Sequence, residues 1–206
     1  FILALQRVFY QGIEVYTVPG NHDSVKPITR TEWSLCDSGL ACYQNLILPN
    51  GRRIDDLYSF DYEGLYFIGV YTGAGNCVGD GLSDPEEFKK ELDRIGTNPS
   101  VIFMHHPAID ECDSGPCQWL GGQKFDGHEA FVDLCKSDKY NVQLVLAGHT
   151  HEDKVYDADE KPVEVTSSKR PLFIQTPSVG KDPDAPFKYR WINVYYMSPP
   201  SLSPET

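Results

Sequence analysis

The chain has 206 residues, 18 Lys and Arg against 30 Asp and Glu, a formal charge of -12 and 40% apolar residues. This composition excludes a disordered or fibrous chain, and the acidic balance argues against a surface that grips a nucleic-acid backbone, which needs Lys and Arg facing the phosphates. No apolar run approaches the roughly 20 residues that a membrane-spanning helix requires.

In chain order, Phe1 to Gln11 is compatible with a helix and apolar nearly all round, with Gly12 placed to stop it. Ile13 to Val18 predicts a strand closed by Pro19 and Gly20, and Ser24 to Leu57 a long surface excursion with a short helix around Arg30 to Leu35, the kind of segment that serves as a substrate lid. Tyr58 to Tyr62 and Leu65 to Tyr71 predict two strands joined in a hairpin at Glu63-Gly64. Asp84-Pro85-Glu86-Glu87 has the marks of a helix start, Phe88, Leu92 and Ile95 fall on one face, and Gly96 ends the helix. Ser100 to Met104 predicts a buried strand. Asp126 to Asp138 predicts a second helix, capped by Asp126 with Glu129 three residues on, and with Phe131, Leu134 and Cys135 inward. Val142 to Ala147, apolar except for Gln143, predicts a strand buried on both faces at the centre of a layered α/β domain. Lys154 to Ala158, Leu172 to Thr176 and Tyr189 to Tyr196 predict three further strands, and residues 199–206 a flexible tail.

Six cysteines are an even number, and two pairs flank turn-forming stretches: Cys36 with Cys42, and Cys112 with Cys117. Short bridges are expected at both, and with them an extracytoplasmic or secreted protein. Cys135, on the apolar face of the second helix, reads as a buried free thiol. Trp33, Trp119 and Trp191 read as core or loop packing.

The chemistry concentrates at strand exits. Asn21-His22, His105-His106 and His149-Thr150-His151 each follow a predicted buried strand directly, and five of the six histidines lie there. Exits on one edge of a sheet would gather these side chains into one pocket, and neutral imidazole is the commonest transition-metal ligand, with an asparagine carbonyl suited to a harder ion beside it. His149 and His151 can converge on one point or straddle two neighbouring ions. His106 reads either as a substrate contact or as a histidine packed beside Pro107.

The order Gly20-Asn21-His22-Asp23, then an apolar strand into His105-His106-Pro107, then Gly148-His149-Thr150-His151, resembles the calcineurin-like metallophosphoesterases over most of the chain. That resemblance implies a four-layer α/β/β/α sandwich with two mixed sheets. It also implies two divalent or trivalent transition-metal ions, Mn, Fe or Zn, bridged by a carboxylate and a hydroxide. On the matching positions, Asn21, His105 and His149 would bind one ion and His151 would help bind the other. His22 would stand over the leaving oxygen as general acid or electrostatic stabiliser, with Asp23 orienting it. The implied activity is hydrolysis of a small phosphate ester, mono or di. An anionic ester repels hydroxide, so two cations neutralise it and activate a water, and a proton donor adds roughly two to four orders of magnitude in rate.

The family's Asp-x-His and Gly-Asp-x-x-Asp motifs, which come before Gly-Asn-His, do not occur upstream of Gly20. The look-alikes Asp126-Gly127-His128 and Gly79-Asp80 through Asp84 are better explained as helix starts. The expectation is therefore a domain over residues 1–198 that lacks its first β-α-β segment, inactive by itself and binding at most one ion. A non-catalytic binding or scaffold protein with an incomplete metal site is the alternative reading.

Overall fold

The computed structural model describes residues 16, 18, 20, 52–54, 57–72, 85–109, 124–177, 190–193 and 195. The Phe1 to Gln11 helix, Asn21, His22, Asp23, both cysteine pairs, the Asp84 cap and the 199–206 tail all lie outside these residues. The strand expected over Ile13 to Val18 lies largely outside them too.

Glu63 (φ 49°) and Gly64 (φ 84°) both adopt the left-handed conformation that a tight two-residue hairpin demands, and they join β2 (Leu57–Tyr62) to β3 (Leu65–Val70) as expected. A short strand absent from the sequence expectations, β1 (Arg52–Ile54), pairs with the start of β2, where only surface excursion was expected. Three residues with two arginines leave no alternation to read. From β3 the sheet continues through β4 (Pro99–Met104), β5 (Asn141–Ala147) and β7 (Leu172–Gln175), with β6 (Lys154–Tyr156) at the far edge. The spatial order is β1-β2-β3-β4-β5-β7-β6, and β3, β4, β5 and β7 run parallel side by side. The described residues form one mixed sheet.

One irregularity explains how Gln143 is accommodated. The β4–β5 register steps from Ser100↔Val142 to Val101↔Leu144, so Gln143 has no partner in the ladder. The bulge changes the alternation of β5, and Val142, Val145 and Ala147 all join the same core.

Two helices cover that face. α1 (Pro85–Ile95) has proline at its first position and ends where Gly96, at φ 64°, lets its N–H return to the Leu92 carbonyl. Phe88, Leu92 and Ile95 are buried from it, as their spacing requires. α2 (His128–Cys135) is shorter than the expected Asp126 to Asp138. Asp126 does not cap it: the N-cap is Gly127 in the left-handed conformation (φ 78°), with no side-chain cap. Phe125, buried just before, anchors that turn, since its carbonyl accepts from the His128 N–H. Val132 is buried from α2 beside Phe131 and Cys135, whereas Leu134 is only partly covered. Stacking of Phe88 on Phe131 at 5.0 Å joins the helices, and each buried side chain of this size contributes roughly 1.5–3 kcal/mol. Cys135 is a buried free thiol, and burial pushes its pKa well up.

The opposite face of the sheet is also apolar. Phe60 and Phe67 stack at 5.1 Å, Tyr58 meets Phe103 edge-on at 5.7 Å, and Tyr16 stacks on Phe60 at 3.9 Å. Gly69 makes room for this row, because a Cβ there would lie 2.5 Å from the Tyr58 ring. Arg190 to Asn193 are not in a strand, contrary to expectation: Arg190 is tied to Asp153, and Trp191 is 77% exposed rather than packed in a core.

Candidate metal centre

Because four parallel strands stand side by side, their exits line one edge. The β3 exit supplies Thr72, the β4 exit His105 and His106, the β5 exit Gly148 to His151, and β7 ends on Gln175. The β4–β5 pairing carries on past the strands as a bond from the Gly148 N–H to the His105 carbonyl at 3.0 Å.

His105 and His149 meet at this edge: Nε2 of the first and Nδ1 of the second are 3.1 Å apart. Without an ion, one ring donates this bond to the other. Two imidazole nitrogens each about 2.0–2.1 Å from one ion stand roughly 2.9–3.4 Å apart for angles between octahedral and tetrahedral, so the observed spacing fits a shared ion. His106 joins them, and ligand atoms of His105, His106 and His149 all lie within 4.8 Å of one another. Among the described residues this is the one cluster of His, Cys, Asp or Glu side chains that fits an ion.

His106 is fully buried. The Thr72 hydroxyl bonds its Nδ1 at 2.9 Å and accepts its backbone N–H at 3.2 Å, so one buried side chain fixes both ring and backbone. The ring packs at 4.4 Å against that of His149, bracing it from within. Thr72 carried no signal in the sequence, since a threonine after an apolar strand is ordinary.

His149 (φ 66°) and His151 (φ 62°) both take the left-handed backbone conformation, which disfavours residues with a Cβ by about 1–2 kcal/mol each and concentrates at functional sites. The surrounding bonds hold them there: the Thr150 N–H reaches the Gly148 carbonyl at 2.8 Å, and the Thr150 hydroxyl donates to buried Gln175 at 2.9 Å. His151 itself is exposed and is not one of the three clustered histidines.

Of the Gly20-Asn21-His22-Asp23 motif, the described residue is Gly20, and it lies against His105. A Cβ on Gly20 would sit 2.7 Å from Cε1 and 2.8 Å from Nδ1 of that ring. The glycine before Asn21 thus packs directly on one of the two convergent imidazoles. The look-alike His128 instead bonds the Phe125 carbonyl through Nδ1, at the start of α2 and outside the cluster.

The family model for calcineurin-like phosphoesterases matches residues 1–153. A probable cyclic nucleotide phosphodiesterase of Fibrobacter succinogenes is 25% identical over 162 residues, covering 76% of this chain and 53% of that protein. The chain therefore spans about half the length of the curated relative it matches.

Proposed function

This chain belongs to the calcineurin-like phosphoesterase family, and from that premise we propose that it is a metal-dependent hydrolase of phosphate esters with its catalytic centre at the β3–β4–β5 exits. The observation that carries the reading is the convergence of His105 and His149 at 3.1 Å with Gly20 packed on the His105 ring. Asn21, His105 and His149 would hold one ion of a dinuclear centre and His151 would reach the other; Mn, Fe and Zn all suit an imidazole-rich donor set. When bound, the ions neutralise the anionic ester and supply an activated water.

The chain's own residues divide the remaining work. His105 and His149, both neutral donors, leave the positive charge of the centre intact for the phosphate. His106, fully buried behind the site on Thr72, supports His149 as a packed histidine rather than as a substrate contact. His22, next to Asn21, donates a proton to the leaving oxygen, and Asp23 orients it. We also read the described sheet as one of the two in a four-layer α/β/β/α sandwich. The support is its far face, apolar and carrying Tyr16 stacked on Phe60. The substrate is a small phosphate ester, and the name of the Fibrobacter relative puts cyclic phosphodiesters first among those to assay. Among the described residues no helix is long and apolar enough to cross a membrane.

The test compares His22→Ala with His149→Ala in the full-length protein, on an aryl phosphate and on a cyclic phosphodiester. His22→Ala is expected to lower kcat by roughly two orders of magnitude with metal content unchanged, as for a group that acts in the transition state. His149→Ala is expected to lose metal and activity together. Full metal binding without turnover of either ester in the wild type would favour a binding or scaffold role instead.

A further inference from the structure

Gln175 is 1% exposed, and both ends of its amide are engaged. Nε2 donates to the Ile109 carbonyl, and Oε1 accepts from the Thr150 hydroxyl at 2.9 Å. A carbonyl can only accept, so the contact to Ile109 fixes which way the amide faces. It follows that the Thr150 proton is given to Gln175, and the hydroxyl's lone pairs are left to receive the Glu152 N–H at 3.4 Å. Thr150 lies between His149 and His151, and Ile109 lies three residues beyond His106 in the segment that leaves β4. Next in the chain, the Thr176 N–H bonds the Ala147 carbonyl at 2.9 Å, which locks β7 to the last residue of β5.

We propose that Gln175 is a positioning residue of the metal centre: its buried amide ties the segment that leaves β4 through His105 and His106 to the His149-Thr150-His151 loop and holds the two convergent imidazoles at ion-binding distance. The proposal rests on the metal-site reading above. Its physical basis is that the loop carries two residues in the left-handed conformation and relaxes unless its neighbours over-determine it. Gln175 supplies that constraint from a strand with no histidine, two strands away from β4. Groups that orient ligands without touching the ion typically change metal affinity by about 10–100-fold when removed.

The test is Mn²⁺ and Zn²⁺ titration of the full-length protein, comparing wild type with Gln175→Met, which keeps length and volume but loses both bonds. Thr150→Val, which removes the same bond from its other end at a less buried position, serves where Gln175→Met folds poorly. Each variant is expected to weaken binding about tenfold. The double variant should bind no more weakly than the worse single one, because the two act through one bond. Amide hydrogen exchange on the metal-free proteins provides a readout that a merely structural role does not move: Gly148 and Thr150 should exchange faster while α1 and α2 keep their protection. Unchanged affinity with unchanged exchange at Gly148 and Thr150 overturns the proposal, as does a uniform loss of protection across the sheet. If the wild type binds neither ion, the metal-site reading fails by itself. The exchange pattern then still decides whether Gln175 clamps the loop.

Discussion

At the scale of single residues, Gly20 lies against the ring of His105 and Thr72 bonds His106. The atoms that a Cβ on Gly20 would meet are the far end of the His105 side chain, which can swing aside at little cost to the fold. Swinging, however, takes Nε2 away from its 3.1 Å approach to His149. Gly20→Ala should therefore separate two quantities that usually fall together. We expect metal affinity to drop about tenfold or more, on the scale of other ligand-orienting groups, while the thermal midpoint stays within a few degrees of wild type. Paired titration and thermal melts check this, and a variant that melts early yet binds normally would show that Gly20 packs for stability alone.

At the scale of elements, α1 is fastened to the sheet by more than its apolar stripe. Glu91 has no exposed surface; Ser59 of β2 donates to it, and Arg94, one turn on, bonds both its carboxylate oxygens. The Arg94 guanidinium also lies 5.6 Å over the Tyr66 ring. The sequence presents Glu91 as an ordinary charge on an amphipathic helix. Removing one partner of a buried pair leaves an uncompensated charge and costs up to 3–5 kcal/mol, less here because Arg94 is partly exposed to water. Arg94→Ala is expected to destabilise the protein by about 2 kcal/mol or more, read from urea unfolding midpoints. The double variant Glu91→Leu, Arg94→Leu should recover much of that loss, because it removes the buried charge together with its partner.

On the scale of the whole molecule, two paired carboxylates, Asp93 with Lys139 and Asp157 with Lys169, contribute stability that acid removes. Asp93 on α1 is held far below the usual carboxylate range by Lys139, then by Tyr140, at the turn that leads into β5. Asp157, just after β6, is lowered by Lys169 and by the N–H groups of Lys161 and Asp159. Both folded-state values lie below the unfolded value near 3.9, so this stabilisation is complete above about pH 4 and is lost as pH falls through the folded-state values. Thermal midpoints should therefore hold on the neutral side and decline below about pH 4. Asp157→Asn should lower the midpoint at neutral pH and flatten the acid decline, and an unchanged acid limb in that variant would assign the loss to other groups.

What the sequence determined by itself is whatever depends on neighbours along the chain. The Glu63-Gly64 hairpin, α1 from proline to glycine, and the strands that deliver His105 and His149 follow from local periodicity and backbone preference. The exits of β4 and β5, with His105, His106, His149 and His151, were legible for the same reason. Tertiary structure decided whatever depends on contact between distant segments. The parallel order β3-β4-β5-β7 places those exits on one edge, Gly127 rather than Asp126 starts α2 because buried Phe125 fixes the turn, and a bulge disposes of Gln143. Gly20, Thr72 and Gln175 belong to this second group. Each touches a partner 25 or more residues away, and no spacing rule reaches that far, because a buried hydrogen bond or a close approach exists only once the sheet has been assembled.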